Sequence, residues 1–231
     1  MNMQRTNSEI RKMARQALEG NWMKAVLAVV IALMLPSVLT TPFGYVFDNP
    51  VAQQSPGIII NLLCLPLTWG FAVFFLRIVR MERTDIAHLF DGYRDFVRVF
   101  VAVLLMCVYI LLWALLLLIP GIIKSLSYAM TPYILKDNPE MGGEEAIHRS
   151  RVLMDGHKMK LFLLYLSFLG WALLCCITLG LGFFLLIPYV ETSVAVFYET
   201  LLEEERAKMA LHAAPASEES PVEDMNIGEG Q

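Results

Sequence analysis

Two ionisable side chains, Lys124 and Glu191, lie well inside apolar runs of this chain, and each closely follows a proline, Pro120 and Pro188. A charge held in hydrocarbon costs several kcal/mol, so it is kept where it pairs, binds or moves an ion. If those prolines mark helix starts, both groups sit about 6 Å below the same surface. Tyr128, one turn after Lys124, and Tyr189 would add hydroxyls to the same polar cluster. Three readings fit these residue types. The charges could form a structural ion pair that sets helix register. Lys124 could snorkel to the interface while Glu191 stays uncharged. Or the cluster could hold a ligand or ion.

Other candidates point away from catalysis. His88, His148 and His157 lie in polar segments and form neither an i, i+4 pair nor an HExxH pattern. Glu144, Glu145 and Asp155 fit the charged dressing of helix ends. Gly142-Gly143 follows no strand pattern and lacks the Gly-Lys-Ser/Thr ending of a phosphate loop. The four cysteines (Cys64, Cys107, Cys175, Cys176) sit in apolar runs without metal-ligand spacing, so no disulfide, metal or cofactor is expected. Nothing resembles a nucleophile with its base, and the chain reads as a non-enzyme.

The elements that must position these residues follow from composition. Of 231 residues, 57% are hydrophobic and 17% are charged, against about 45–50% and about 25% in soluble domains. The apolar residues come in blocks, which excludes a soluble enzyme and a disulfide-stapled module. A span needs about 20 apolar residues. Trp22–Leu39, Ile58–Val79, Val99–Ile119, Leu161–Leu179 and Leu181–Tyr198 qualify or nearly do, and Ile122–Leu135 is a shorter sixth. The first has no small-x-small cleavage site after it and reads as a retained span.

Basic residues then set the topology. Arg5, Arg11, Lys12, Arg15 and Lys24 precede or open the first run; Arg77, Arg80, Arg83, Arg94 and Arg98 separate the second and third; Lys136, Arg149, Arg151, Lys158 and Lys160 precede the fifth. Thr40–Gly57 and Thr178–Gly182 carry no Lys or Arg, and Lys124 alone falls on the opposite side. These counts predict six transmembrane helices as three hairpins, with both termini in the cytoplasm. The basic clusters should attract anionic inner-leaflet lipid. They do not form a patch for nucleic acid.

Acid-glycine pairs recur just before the first, third and fifth spans: Glu19-Gly20, Asp91-Gly92 and Asp155-Gly156. Apolar residues precede each glycine at helical spacing, and basic residues follow it. Each unit therefore reads as a cytoplasmic amphipathic helix, a glycine corner suited to a helix C-terminus, and a two-span hairpin. Pro120-Gly121 reads as the tight tip of the second hairpin. Domain organisation follows: an all-α, six-helix transmembrane domain over 1–202, then an acidic tail over 203–231 expected to be disordered.

Particular motifs add a resemblance. Leu118-Ile-Pro-Gly-Ile-Ile-Lys-Ser-Leu-Ser-Tyr-Ala-Met-Thr-Pro-Tyr133, Asn138-Pro139, Met154-Asp-Gly-His-Lys158, Ile187-Pro-Tyr-Val-Glu191 and Ala17-Leu-Glu-Gly-Asn-Trp22 closely resemble an uncharacterised bacterial membrane family, domain of unknown function 975. The chain is more distantly similar to the membrane domain fused to some glycerophosphodiester phosphodiesterases, whose enzymatic part is a separate domain. The resemblance implies a six-helix bacterial plasma-membrane protein and carries over no activity. It places Lys124 and Glu191 within shared motifs. Two functions are then expected to compete: an accessory protein that organises lipid or partner proteins, and a small permease or export component with its site at Lys124, Tyr128 and Glu191.

Overall fold

The computed structural model describes residues 5–42 and 50–213, and within them every regular element is a helix. In chain order they are α1 (Asn7–Leu18), α2 (Trp22–Thr40), α3 (Pro50–Leu63), α4 (Leu65–Val79), a 3-10 helix (Ile86–Tyr93), α5 (Phe96–Leu116), α6 (Leu118–Tyr128), α7 (Thr131–Asp137), α8 (Gly143–Leu153), α9 (Lys158–Leu166), α10 (Leu169–Ile177) and α11 (Phe183–Ala213). Five stretches are long and apolar enough to cross a membrane: Trp22–Thr40, Pro56–Val79, Phe96–Leu116, Lys158–Ile177 and Phe183–Leu211. The sixth expected run, Ile122–Leu135, is instead split between α6 and α7 at Ala129–Met130.

The amphipathic segments do not lie free of the bundle. A capping box starts α1: the Glu9 amide donates to the Thr6 hydroxyl at 3.3 Å, and the Thr6 amide donates to the Glu9 carboxylate at 2.6 Å. Ile10, Ala14 and Leu18 then form a fully buried stripe packed on α11 and α4. The second segment is a 3-10 helix rather than an α-helix. Three residues per turn align Ile86, Leu89 and Gly92 on one edge, and that edge presses against α4. A Cβ added at Gly92 would stand 2.5 Å from the Pro66 carbonyl oxygen and 3.0 Å from the Trp69 ring. The third, α8, buries Ala146, Ile147 and Ser150 against α5 and α7; at its first residue, Gly143, an added Cβ would meet the Ala102 Cα at 2.7 Å.

Chain corners follow local chemistry. Gly20 and Gly156 have φ of +81° and +77°, with open space where a side chain would go. Only the backbone conformation demands glycine there. Gly20→Ala and Gly156→Ala should each cost about 1–2 kcal/mol, seen as a lower thermal midpoint in detergent. Gly170→Ala, in open helical space, should instead raise the midpoint slightly, since alanine loses less backbone freedom on folding. The α5–α6 corner falls at Leu117, whose backbone is extended (φ −157°, ψ 136°), so Pro120 and Gly121 lie inside the first turn of α6. Gly121 instead permits close approach, since an added Cβ would lie 2.8 Å from the Ala114 Cα.

The fully buried core, including Phe74, Phe75, Leu89, Met130, Tyr133, Phe197 and Tyr198, gathers where α1, α4, α7 and α11 meet. Elsewhere large apolar side chains stand exposed, among them Leu33, Ile59, Leu111, Leu115, Ile119, Leu173 and Leu185. Such a continuous apolar exterior is tolerable where the surroundings are lipid.

Ion pairs gather where α4 ends. Arg80, at the C-terminus of α4, donates from Nη1 and Nη2 to the Asp137 carboxylate at 2.6 and 2.7 Å, and from Nε to Glu199 at 2.6 Å. The Tyr198 hydroxyl donates to Asp137 at 2.8 Å, and its ring stacks on Tyr133 at 5.1 Å. Further along α11, Glu203 meets Arg5 at 2.7 Å, Glu204 meets Lys160 at 3.5 Å, and Glu205 meets Arg149 at 2.6 Å. The acidic segment expected to begin a disordered tail at 203 is therefore helical through Ala213, because each carboxylate finds a cation. Residues 214–231 lie outside the described residues. Likewise α3 begins at Pro50, within Thr40–Gly57, the stretch without Lys or Arg that separates the first two apolar runs.

Candidate functional site

The anticipated cluster of Lys124, Tyr128, Tyr189 and Glu191 is not assembled. Lys124, half-buried on α6, places its ammonium 4.7 Å from the centroid of the Trp113 ring on α5, a cation–π contact. Among the described residues it makes no ion pair with Glu191. Tyr128 is buried with its ring 6.3 Å from Tyr109. The Tyr189 hydroxyl donates to the Arg11 carbonyl at 3.2 Å, and its ring meets Phe168 edge-on at 5.1 Å. The depth argument failed because Pro188 does not start its helix. α11 begins at Phe183, and Pro188 sits inside it.

Glu191 instead faces a cavity of about 480 Å³. Its walls come from α4 (Ala72), α5 (Met106, Ile110), α6 (Ser125, Leu126), α9 (Phe162, Tyr165) and α11 (Val194), with Pro132 and Tyr133 of α7 completing it. The polar groups in that lining are Glu191, Ser125, Tyr133 and Tyr165. No hydrogen bond or ion pair to the Glu191 carboxylate is made among the described residues, whereas Ser125 is already committed to the Ile122 carbonyl at 2.8 Å.

Helix interruptions frame the cavity. α6 breaks into α7 at Ala129–Met130, and α9 breaks into α10 at Ser167–Phe168. Both breaks have a local cause. Pro132 has no amide to continue the ladder from α6; its carbonyl is taken by the Trp69 indole N–H at 3.0 Å. At the other break, the Ser167 hydroxyl donates to the Leu164 carbonyl at 2.6 Å, competing with the helical pattern. Interrupted helices beside an ionisable group are how transporters build binding sites.

A second hollow, about 450 Å³, opens between α10, α11 and the α1–α2 corner. It is lined by Trp171, Leu174, Cys175, Leu185 and Leu186, with Arg15 and Trp22 along one side. In the sequence, Arg15 carries only a topological signal. Arg80, likewise counted only for topology, is the hub of the ion-pair network; its acidic partners on separate elements, Asp137 and Glu199, offered no periodic signal. Among the described residues no three His, Cys, Asp or Glu side chains could hold a metal ion together.

No curated protein matches the chain, and no solved structure does, so the likeness to the glycerophosphodiester phosphodiesterase membrane domain gains no support. A family model does match, over residues 1–127 and 114–205. Between them these matches take in the α1 cap, the glycine corners, the split α6–α7 segment and Glu191, and the chain belongs to the family described as a protein of unknown function, DUF975.

Proposed function

We propose that this is a non-enzymatic bacterial plasma-membrane protein that works as a small permease or export component, with Glu191 as its binding group. In this reading the chain crosses six times in three hairpins, the α6–α7 pair counting as the fourth crossing beside the five long apolar stretches. Arg98 Nη1 donates to the carbonyls of Leu135, Asn138 and Met141 at 3.2–3.4 Å, and Arg80 reaches Asp137. The end of α7 has thus returned to the face where α4 ends and α5 begins. By the bias of basic residues that face is cytoplasmic, as are both termini.

The observation that carries the functional reading is the Glu191 carboxylate, which has no hydrogen bond or ion pair among the described residues and faces a largely apolar cavity between helices. A carboxylate there needs a proton or a cation to be tolerated. The surrounding Ala72, Met106, Ile110, Phe162 and Val194 favour a solute with an apolar body. Small lipophilic cations and protonated amines have that chemistry.

Dicyclohexylcarbodiimide, which modifies carboxyls in apolar surroundings, provides the test. Mass spectrometry should find it on Glu191 in detergent-solubilised protein, and tetraphenylphosphonium should slow the modification. Proteoliposomes should take up tetraphenylphosphonium, and Glu191→Gln should abolish uptake while keeping the folded yield. Uptake equal in both proteins would overturn the reading. The accessory reading retains one specific support, the Arg15 hollow.

A further inference from the structure

We propose that the hollow between α10, α11 and the α1–α2 corner is a binding site for one anionic phospholipid, with its phosphate on Arg15 and an acyl chain along Leu174, Leu185 and Leu186. This site is separate from the Glu191 cavity and does not depend on what binds there. The geometry is that of a wedge. Gly182 closes one end, where an added Cβ would stand 2.6 Å from the Cys175 Sγ, so the turn into α11 lies tight against α10. The other end is closed by Tyr189, pinned through its hydroxyl to the Arg11 carbonyl of α1. Between these contacts the helices diverge, leaving about 450 Å³ with little polar surface. Leu174 and Leu185 on its walls are themselves exposed, as is Trp171 beside them, so the hollow is open sideways to the lipid phase.

Charge selects the occupant. Arg15 is exposed at the wall and makes no ion pair among the described residues, and neither do its neighbours on α1, Arg11 and Lys12. The contrast with Arg5, Arg80 and Arg149 is plain, since each of those has a carboxylate within 2.7 Å. A guanidinium can fork onto phosphate oxygens, and Trp22 at the same wall suits the headgroup level. An apolar slot joined to a lone cation matches a lipid with a net negative headgroup. A free phosphate would leave the slot empty, and a zwitterionic lipid would bring its own cation beside Arg15.

Native mass spectrometry of the full chain, delipidated in detergent and titrated with dioleoyl phosphatidylglycerol or dioleoyl phosphatidylcholine, tests this. One phosphatidylglycerol should bind about fivefold or more tightly over phosphatidylcholine, the preference one well-placed cation supplies. Arg15→Gln should remove that preference and Arg15→Lys should keep most of it. Arg83→Gln, at another exposed arginine without an ion pair among the described residues, should change nothing. Leu185→Trp, which fills the slot and leaves Arg15 alone, should weaken both lipids. Inorganic phosphate at millimolar concentration should not displace the lipid. Equal affinity for the two lipids, an equal loss in Arg15→Gln and Arg83→Gln, or displacement by phosphate would each overturn the proposal. Since Glu191→Gln should leave lipid preference intact, failure here and failure of the transport reading are distinguishable.

Discussion

Arg80→Ala should lower stability by about 3 kcal/mol, the lower part of what removing one partner from a buried ionic cluster costs. The lower part applies because Arg80, Asp137 and Glu199 retain 24%, 22% and 21% side-chain exposure. Removing the guanidinium leaves two carboxylates facing each other, with one Tyr198 hydroxyl as compensation. The pH dependence then separates this from a simple loss of packing. Burial pushes the Asp137 carboxyl up, but hydrogen bonds from Arg80 and Tyr198 and the nearby charges of Arg80 and Lys136 outweigh it and hold the group below the ordinary value. A group depressed on folding stabilises above its unfolded value, about pH 3.9, and that contribution is lost as pH falls through the depressed value. The thermal midpoint of the native protein in detergent should therefore fall as pH drops from about 5 towards 3. In Arg80→Ala the burial effect is opposed only by the Tyr198 hydrogen bond and the Lys136 charge. Protonation then relieves repulsion between Asp137 and Glu199, and the midpoint should rise over the first part of the same descent. Arg80→Lys should fall between, keeping the charge but losing the two-pronged contact with Asp137; it also preserves the charge that orients the chain. Parallel pH profiles in the native protein and Arg80→Ala would show that the cluster is not what holds α4, α7 and α11 together.

How much of this was legible in the sequence depends on which physical term decided each feature. The apolar runs were legible, since transfer into lipid is a property of composition. Gly20 and Gly156 were legible as helix ends because their backbones adopt positive φ. Gly92, Gly121 and Gly143 look the same in sequence but serve close approach between helices, a pairwise property that no single segment reveals. The amphipathic stripe of α1 was visible as a period, yet a period does not say whether protein or lipid covers it; Ile10, Ala14 and Leu18 are covered by α11 and α4. Proline spacing puts Lys124 and Glu191 at one depth only if Pro188 starts a helix, which it does not, and it carries no azimuth: they point to Trp113 and to the cavity respectively. The helical stretch Glu203–Ala213 was hidden because composition resembles a solvated tail until Arg5, Lys160 and Arg149 are brought to it from distant parts of the chain.

Gly70→Ala should have the largest effect of any glycine-to-alanine change in the described residues, about 3 kcal/mol or more, because what it meets cannot move alone. The added Cβ would collide with the Leu89 carbonyl oxygen and stand 2.8 Å from the carbonyl carbon. Overpacked cores relieve strain through side-chain rotamers at about 1–3 kcal/mol, but backbone offers no rotamer. The 3-10 helix must lift from α4 as a unit. That would loosen Asp91 from Arg77, now 2.8 Å apart, and the Tyr93 hydroxyl from the Leu63 carbonyl, now 3.1 Å. α4 carries Trp69, which caps the Pro132 carbonyl, and Ala72, which lines the Glu191 cavity. The lesion should therefore reach the Glu191 cavity without touching a polar group there: Gly70→Ala should lower the folded yield and, in the protein that survives, slow carbodiimide modification of Glu191 or remove its protection by tetraphenylphosphonium. Shortening the Leu89 side chain should not rescue it, because the obstacle is the carbonyl, so Gly70→Ala/Leu89→Ala should be no more stable than Gly70→Ala. A rescued double variant would mean that side-chain packing, not backbone contact, seats the 3-10 helix on α4, and that the glycine can be replaced wherever its neighbour is made smaller.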